Sequence, residues 1–210
     1  KCKIKKAIVM NVYKFFSFVL HPIFSPVIFI CLSFIVIPQT KISIDQSYGV
    51  FFITLISITI VIPLISVLIL LKKNVISSYE MKKKNERFAP ILITGICYIL
   101  VLTQLSLVYI LDPLIKAQLI GVGVILFVAL FISRFWKISL HMLAMGGGVG
   151  IMIGLFLISV KGGGWLIGLL IASFFLGVCR KKEKAHNNMQ LIVGFFVGLI
   201  VELCCVLFFK

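Results

Sequence analysis

The side chains best suited to chemistry lie in three short polar clusters, each placed directly before a long apolar run. The first cluster contains Arg87, the second Ser139 and His141, and the third Arg180 and His186. Guanidinium groups bind phosphate oxygens through paired hydrogen bonds, and an imidazole can act as a nucleophile or as a general acid. These residue types predict phosphoryl chemistry if the fold brings the three clusters together.

The two histidines suggest how such a reaction would proceed. One imidazole would attack phosphorus and form a covalent phosphohistidine, while the other would protonate the leaving oxygen. Arginine side chains and helix N-termini would stabilise the charge that develops on the phosphoryl oxygens. Because these groups supply the positive charge, we expect a metal-independent enzyme with no cofactor.

The spacing of these residues resembles the type 2 phosphatidic acid phosphatase superfamily of membrane lipid phosphatases. That family carries Lys-x6-Arg-Pro, then Pro-Ser-Gly-His, then Ser-Arg-x5-His-x3-Asp. Similar stretches follow in the same order here: Arg87 with Pro90, Ser139-Leu140-His141 and Arg180-x5-His186-x3-Gln190.

The resemblance implies a role for each matched residue. It makes His186 the nucleophile and His141 the general acid. It assigns phosphate binding to Arg87, Ser139 and Arg180. The motif lysine is replaced by Glu80, and we expect one of the following lysines to substitute for it, with Lys84 as the candidate.

The sequence departs from the family pattern most seriously at Gln190, where the family has aspartate. An aspartate one helical turn after His186 would fix the imidazole tautomer and balance its positive charge, whereas an amide can only orient the ring. Loss of an orienting carboxylate costs on the order of 10⁴ in rate in a related catalytic arrangement. Other departures are Cys179 for serine, Leu140 for glycine and the displaced Pro90.

Composition indicates where these clusters lie. Of the 210 residues, 61% are hydrophobic and only 13% are charged, far from the composition of a soluble protein. A helix needs about 20 apolar residues to cross the hydrocarbon core. Continuous apolar runs of about this length occur near 15–37, 49–71, 91–111, 114–133, 139–160, 163–179 and 189–209.

We therefore predict an all-α, polytopic transmembrane helix bundle with six to seven spans. Continuous rather than alternating apolar runs favour helices over barrel strands. The whole chain, 1–210, would form a single integral membrane domain, with a basic segment at 1–14 and the helix bundle at 15–209. Small-xxx-small spacing at Gly150/Gly154 and Gly194/Gly198 indicates close helix packing. His21 precedes Pro22 inside the first run, where we expect a local kink or a packing contact outside the site.

The basic residues define a topology. The chain carries 21 Lys and Arg, and 17 of them fall in the N-terminal segment and in alternate loops. By the positive-inside rule that side is cytoplasmic, so we expect a multi-pass protein of the bacterial inner membrane, N-terminus in and C-terminus out. The three clusters share this side. Since the charges sit between apolar runs, nucleic acid is not an expected partner.

The leading functional prediction is a lipid phosphate or diphosphate phosphohydrolase that acts on a membrane-embedded substrate through phosphohistidine. Phosphatidate, phosphatidylglycerol phosphate and prenyl diphosphates are all compatible substrates. The alternative is a non-catalytic lipid-binding or transport protein with the same fold. A membrane prenyltransferase is disfavoured, because it needs paired aspartates and the chain has only Asp45 and Asp112.

Overall fold

A computed structural model describes residues 12–38, 47–79, 81, 83–159 and 162–209. In these ranges the chain is helical and contains no strand, so the predicted all-α polytopic bundle is confirmed. The helices are α1 (12–19), α2 (Ser25–Val36), α3 (Tyr48–Lys72), α4 (Phe88–Val108), α5 (Pro113–Phe135), α6 (Leu140–Ser159), α7 (Gly163–Lys182) and α8 (Asn188–Phe208).

Six of these helices, α3 to α8, are long and apolar enough to cross a membrane, and the chain is a multi-pass membrane protein. The first predicted run differs, because it is not one straight helix. A turn at His21 and Pro22 separates α1 from α2, as the proline predicts, since its nitrogen has no hydrogen to donate. Twelve residues of α2 extend only about 18 Å, too short to cross the core alone.

The broken segment α1–α2 nevertheless runs the length of the bundle. At one end His21 lies against His141, with ring centroids 5.1 Å apart. At the other end Val36 packs against Gly162, where an added Cβ would lie 2.9 Å from the valine. Within the described residues the chain therefore passes along the bundle seven times, once as a broken helix.

Helices α6 and α8 form the tightest contact in the bundle, through their glycines. A Cβ added to Gly198 would lie 2.9 Å from the backbone nitrogen of Gly147, and one added to Gly150 would lie 3.0 Å from that of Leu203. Side chains at these positions would hold the two backbones apart. The close helix packing that the glycine spacing predicts is therefore present, and the structure identifies the two helices that pair.

The loops before α4, α6 and α8 meet at the same end of the bundle. Arg87 Nη1 donates to the carbonyl of Ile138 at 2.9 Å, and the backbone nitrogen of Ser139 donates to the carbonyl of Gln190 at 3.3 Å. At the opposite end the Tyr109 hydroxyl donates to the carbonyl of Ser47 at 3.4 Å. The three polar clusters are therefore on one side of the molecule, as the alternation of loops predicts.

Candidate functional site

Five predicted site residues come together at this end, and we call them the polar site: Arg87, Ser139, His141, Arg180 and His186. Arg87, Ser139, His141 and His186 expose between 0% and 9% of their surface. The Arg180 side chain is 17% exposed and lies within electrostatic reach of Arg87 and of both histidines. Residues up to 99 positions apart in the sequence thus share one buried cluster.

Arg87 ends a short 3-10 turn, Lys84–Arg87, directly before α4. Its Nε donates to the carbonyl of Met81 at 3.2 Å and its Nη1 donates to the carbonyl of Ile138 at 2.9 Å. Two neutral acceptors on different loops therefore fix the plane of the guanidinium without cancelling its charge. A guanidinium fixed in this way suits an anionic ligand.

His186 is oriented by Gln190, one helical turn further along. Gln190 Oε1 accepts a hydrogen bond from the backbone nitrogen of Asn187 at 3.2 Å, so this atom is the amide oxygen. The same oxygen lies 3.1 Å from His186 Nδ1, which must therefore be the protonated ring nitrogen. The lone pair is left on Nε2, the nitrogen that would attack a phosphorus atom.

The protonation of His186 follows from its surroundings. Burial lowers its pKa to about 4, and the positive charge of Arg87 acts in the same direction, whereas the hydrogen bond with Gln190 opposes them. Because this pKa is well below 7, the imidazole is neutral at physiological pH. A neutral imidazole is the nucleophilic form.

His141 lies in the first turn of α6, next to Ser139. Its Nε2 is 3.0 Å from the carbonyl oxygen of Ser17, which can only accept, so Nε2 carries the proton. Ser139 is fully buried, and its Oγ accepts from the backbone nitrogen of Met142 at 3.4 Å. His21 lies against the His141 ring. The turn after α1 therefore covers this part of the polar site.

Glu183 and Ser17 belong to the same network, although the sequence analysis assigned neither to the site. Arg180 Nη1 donates to Glu183 Oε2 at 2.6 Å, and Ser17 Oγ donates to Glu183 Oε1 at 2.9 Å. The i, i+3 spacing from Arg180 could have revealed Glu183. No local pattern points to Ser17, which only the packing of α1 brings to the site.

The other sequence predictions have different outcomes. His21 was expected outside the site, but the structure places it against His141. Lys84 begins the 3-10 turn, and its side chain lies outside the described part of the chain, as do Glu80 and Lys82. Among the described residues, no three His, Cys, Asp or Glu side chains cluster as metal ligands would. Metal independence stays a prediction.

No protein-family model, curated protein or solved structure matches the chain.

Proposed function

We propose that this chain is a membrane-embedded phosphohydrolase that removes phosphate from a lipid phosphate or diphosphate through a phosphohistidine at His186. The observation that carries the proposal is a neutral, oriented imidazole in the same buried cluster as two guanidinium groups and a second histidine. Membership of the type 2 phosphatidic acid phosphatase superfamily is part of the proposal, and it rests on the motif spacing.

In the first step His186 Nε2 forms a bond to phosphorus and the bond from phosphorus to the lipid oxygen breaks. His141 takes up a second proton when the substrate binds and, as an imidazolium, gives that proton to the oxygen, which leaves as an alcohol or, from a diphosphate, as a lipid monophosphate. Arg87, Ser139 and Arg180 bind the phosphoryl oxygens and stabilise the negative charge there. Lys84 is our candidate for an additional phosphate ligand.

In the second step a water molecule attacks the phosphohistidine. The nitrogen–phosphorus bond breaks, and His141 takes a proton from the water. Inorganic phosphate leaves and both imidazoles return to their starting protonation. The cycle uses only side chains of this protein and one water molecule.

A phosphate group would have to replace Glu183 as the partner of Arg180. The carboxylate already accepts from this guanidinium at 2.6 Å, so it holds the position that the proposal gives to a phosphoryl oxygen. This contact, with an amide at position 190, is what favours the alternative of a non-catalytic lipid-binding or transport protein. In that case the polar site would bind a headgroup without cleaving it.

We place the protein in the bacterial inner membrane with the polar site at the cytoplasmic face, on the basis of its basic loops. The substrate would reach the site from the bilayer. A cavity of 460 Å³ lies beside the Lys84–Arg87 turn, and no polar-site residue lines it; its lining residues are Asn85, Phe88, Leu130, Ser133 and Arg134. The Arg134 guanidinium lies 6.0 Å from the centre of the Phe88 ring.

The proposal is tested by phosphate release from a panel of lipid phosphates and prenyl diphosphates, using protein purified in detergent. We expect release by the wild type, none by His186→Ala, and wild-type release by Asn188→Ala, which alters an exposed side chain two residues away. Rapid acid-free quenching with labelled substrate should trap a phosphoprotein that is absent in His186→Ala. Substrate binding without release by the wild type would support the non-catalytic alternative instead.

A further inference from the structure

A second polar feature lies inside the membrane-spanning part of the bundle, away from the polar site. Glu202 is in α8 and exposes only 1% of its surface. Six residues follow it before the helix ends and fourteen precede it, which at about 1.5 Å per residue places it roughly 9 Å and 21 Å from the two helix ends. The carboxyl group therefore lies well inside the hydrocarbon core.

Two glycines on neighbouring helices make the space for this side chain. The Glu202 carboxyl fills the position that a Cβ would take at Gly121 of α5, and its Cγ lies 3.2 Å from the Cβ position of Gly147 in α6. A larger residue at either position would collide with the glutamate. The Glu202 side chain therefore fills a space inside the bundle, between three helices, that the two glycines leave open.

Neither carboxyl oxygen of Glu202 has a hydrogen-bond partner among the described residues. Gln118 lies one turn before Gly121 on α5, and its Oε1 is also buried without a hydrogen-bond partner among the described residues. The Nε2 of the same amide donates to Ser33 Oγ at 2.8 Å. A cavity with room for about one water molecule borders Gln118. Buried oxygens without donors need a proton or a water molecule.

No described cation lies beside the carboxyl. The titratable groups within electrostatic reach of it are Tyr98 of α4 and Cys205 on its own helix. The titratable residue of α6, His141, lies at the end with the polar site, and α5 carries charge only near its ends, at Lys116 and Arg134. An ionised carboxylate in hydrocarbon without a counter-charge is strongly disfavoured.

Thr59 lies in an irregular part of α3 in this region. It lies in a π-helical turn, Ser57–Val61, which precedes Pro63 in α3, and its hydroxyl donates to the carbonyl of Leu55 at 2.7 Å. Such turns occur frequently at functional sites. Thr59 and Glu202 both interact electrostatically with Tyr98, so three helices contribute polar side chains to this region.

We propose that Glu202 is a proton-binding site in the membrane core, which exchanges its proton with water through the polar side chains around it. The inference is independent of the proposed phosphohydrolase activity, because it uses none of the polar-site residues. A proton is the favoured ligand because a single carboxyl is present, whereas a bound metal cation would need several charged or carbonyl oxygens. Such a site would make the protein responsive to proton concentration.

Dicyclohexylcarbodiimide tests the proposal, because it is apolar and reacts with a protonated carboxyl to leave a stable N-acylurea. Protein in lipid vesicles is treated across a pH series and its peptides are analysed by mass spectrometry. We expect labelling of Glu202 that falls as the pH rises and that is absent in Glu202→Gln. Glu183 and Asp112, at the two ends of the bundle, are internal controls and should stay unlabelled.

Infrared spectroscopy supplies a measurement that does not depend on access of the reagent. We expect a carbonyl band of a protonated carboxyl that shifts in D₂O and is missing in Glu202→Gln, a variant of nearly equal volume. A band that does not shift in D₂O would show a trapped proton and would overturn the proposal. Loss of labelling on adding sodium ions at constant pH would also overturn it, in favour of a sodium site.

Discussion

At the scale of single residues, Gln190 occupies the position where the resembled family has aspartate, and it can still orient the His186 ring. The amide oxygen of Gln190 is identified by the backbone N–H of Asn187 that it accepts, and it selects the Nδ1-protonated tautomer of His186. Orientation is therefore retained. Charge balance is not, because an amide cannot neutralise an imidazolium.

Replacing Gln190 by aspartate should alter the pH dependence of catalysis. In the wild type the pKa of His186 is about 4, so the nucleophile is neutral above that value and the acid limb of kcat/KM that His186 sets should lie near pH 4. A carboxylate beside Nδ1 favours the imidazolium, raises this pKa and moves the acid limb to higher pH. It should also increase kcat at neutral pH by roughly tenfold or more.

The pH profile of phosphate release measures both effects. Asn188→Asp is the matched control, since it adds the same charge to an exposed position in the first turn of α8. An acid limb that stays in place in Gln190→Asp would show that the amide does not set the protonation of His186.

Glu183 should compete with the substrate for Arg180. Glu183→Gln removes the carboxylate but keeps the shape of the side chain, so the guanidinium becomes available to a phosphoryl group. Because hydrogen bonds to charged groups contribute about 1.5–3 kcal/mol, we expect KM to fall about tenfold with little change in kcat. Steady-state kinetics on one lipid phosphate measures the separate constants.

Glu86→Gln is the control for this change, because it removes the same charge from the same end of the bundle. A rise in KM in Glu183→Gln would mean that the carboxylate helps to build the site, by holding Arg180 and Ser17 in place, rather than occupying it.

At the scale of the helices, the α6–α8 pair holds the polar site together. Ser139 and His141 enter the site from the start of α6, and His186 and Gln190 from the start of α8. The backbones touch through glycines, so the separation of these residues depends on the absence of side chains further along both helices. The glycine contacts between α6 and α8 therefore determine the distances between the polar-site residues at the start of these helices.

Gly198→Ala should destabilise the protein, because the added Cβ would lie 2.9 Å from the backbone nitrogen of Gly147 and closer still to the carbonyl of Leu143. Backbone atoms cannot move away as a flexible side chain can, and overpacking typically costs about 1–3 kcal/mol. Thermal unfolding in detergent measures the loss. Gly168→Ala in α7 is the control, since nothing lies within 4 Å of its Cβ position.

We expect a lower melting temperature for Gly198→Ala and an unchanged or higher one for Gly168→Ala, because alanine favours helix. A melting temperature of Gly198→Ala equal to that of the wild type would show that α6 and α8 can move apart without loss of stability.

At the scale of the whole molecule, the seven passes along the bundle give the two ends different charge. The loops on the side of the polar site carry most of the 21 basic residues, and from the positive-inside rule we expect that side to be cytoplasmic. The sites of the family that the sequence resembles commonly face the other side. Orientation in the membrane is thus a specific prediction of this chain.

Reporter fusions test this orientation. Alkaline phosphatase fused after Phe209 should be active, because it would lie outside the cytoplasm, and a fusion after Lys184 should be inactive. Green fluorescent protein at the same two positions should give the opposite pattern and controls for expression. If alkaline phosphatase fused after Phe209 is inactive and green fluorescent protein fused there is fluorescent, the topology is the reverse of the one we predict, and the polar site lies at the outer face.

The sequence by itself determined the spans, their helical nature and the end of the bundle at which the polar clusters meet. Apolar length, continuity and loop charge are local properties, and a bilayer converts them directly into crossings. It also located Arg87, His141 and His186, because a short polar cluster in so apolar a chain stands out from its surroundings.

Only the tertiary structure decided which distant residues join that cluster. Ser17 and His21 reach it because Pro22 breaks the first helix and α1 folds over the site, which no spacing along the chain encodes. The space that holds Glu202 likewise depends on two glycines from other helices. These are contacts between elements, and a one-dimensional pattern carries no information about their partners.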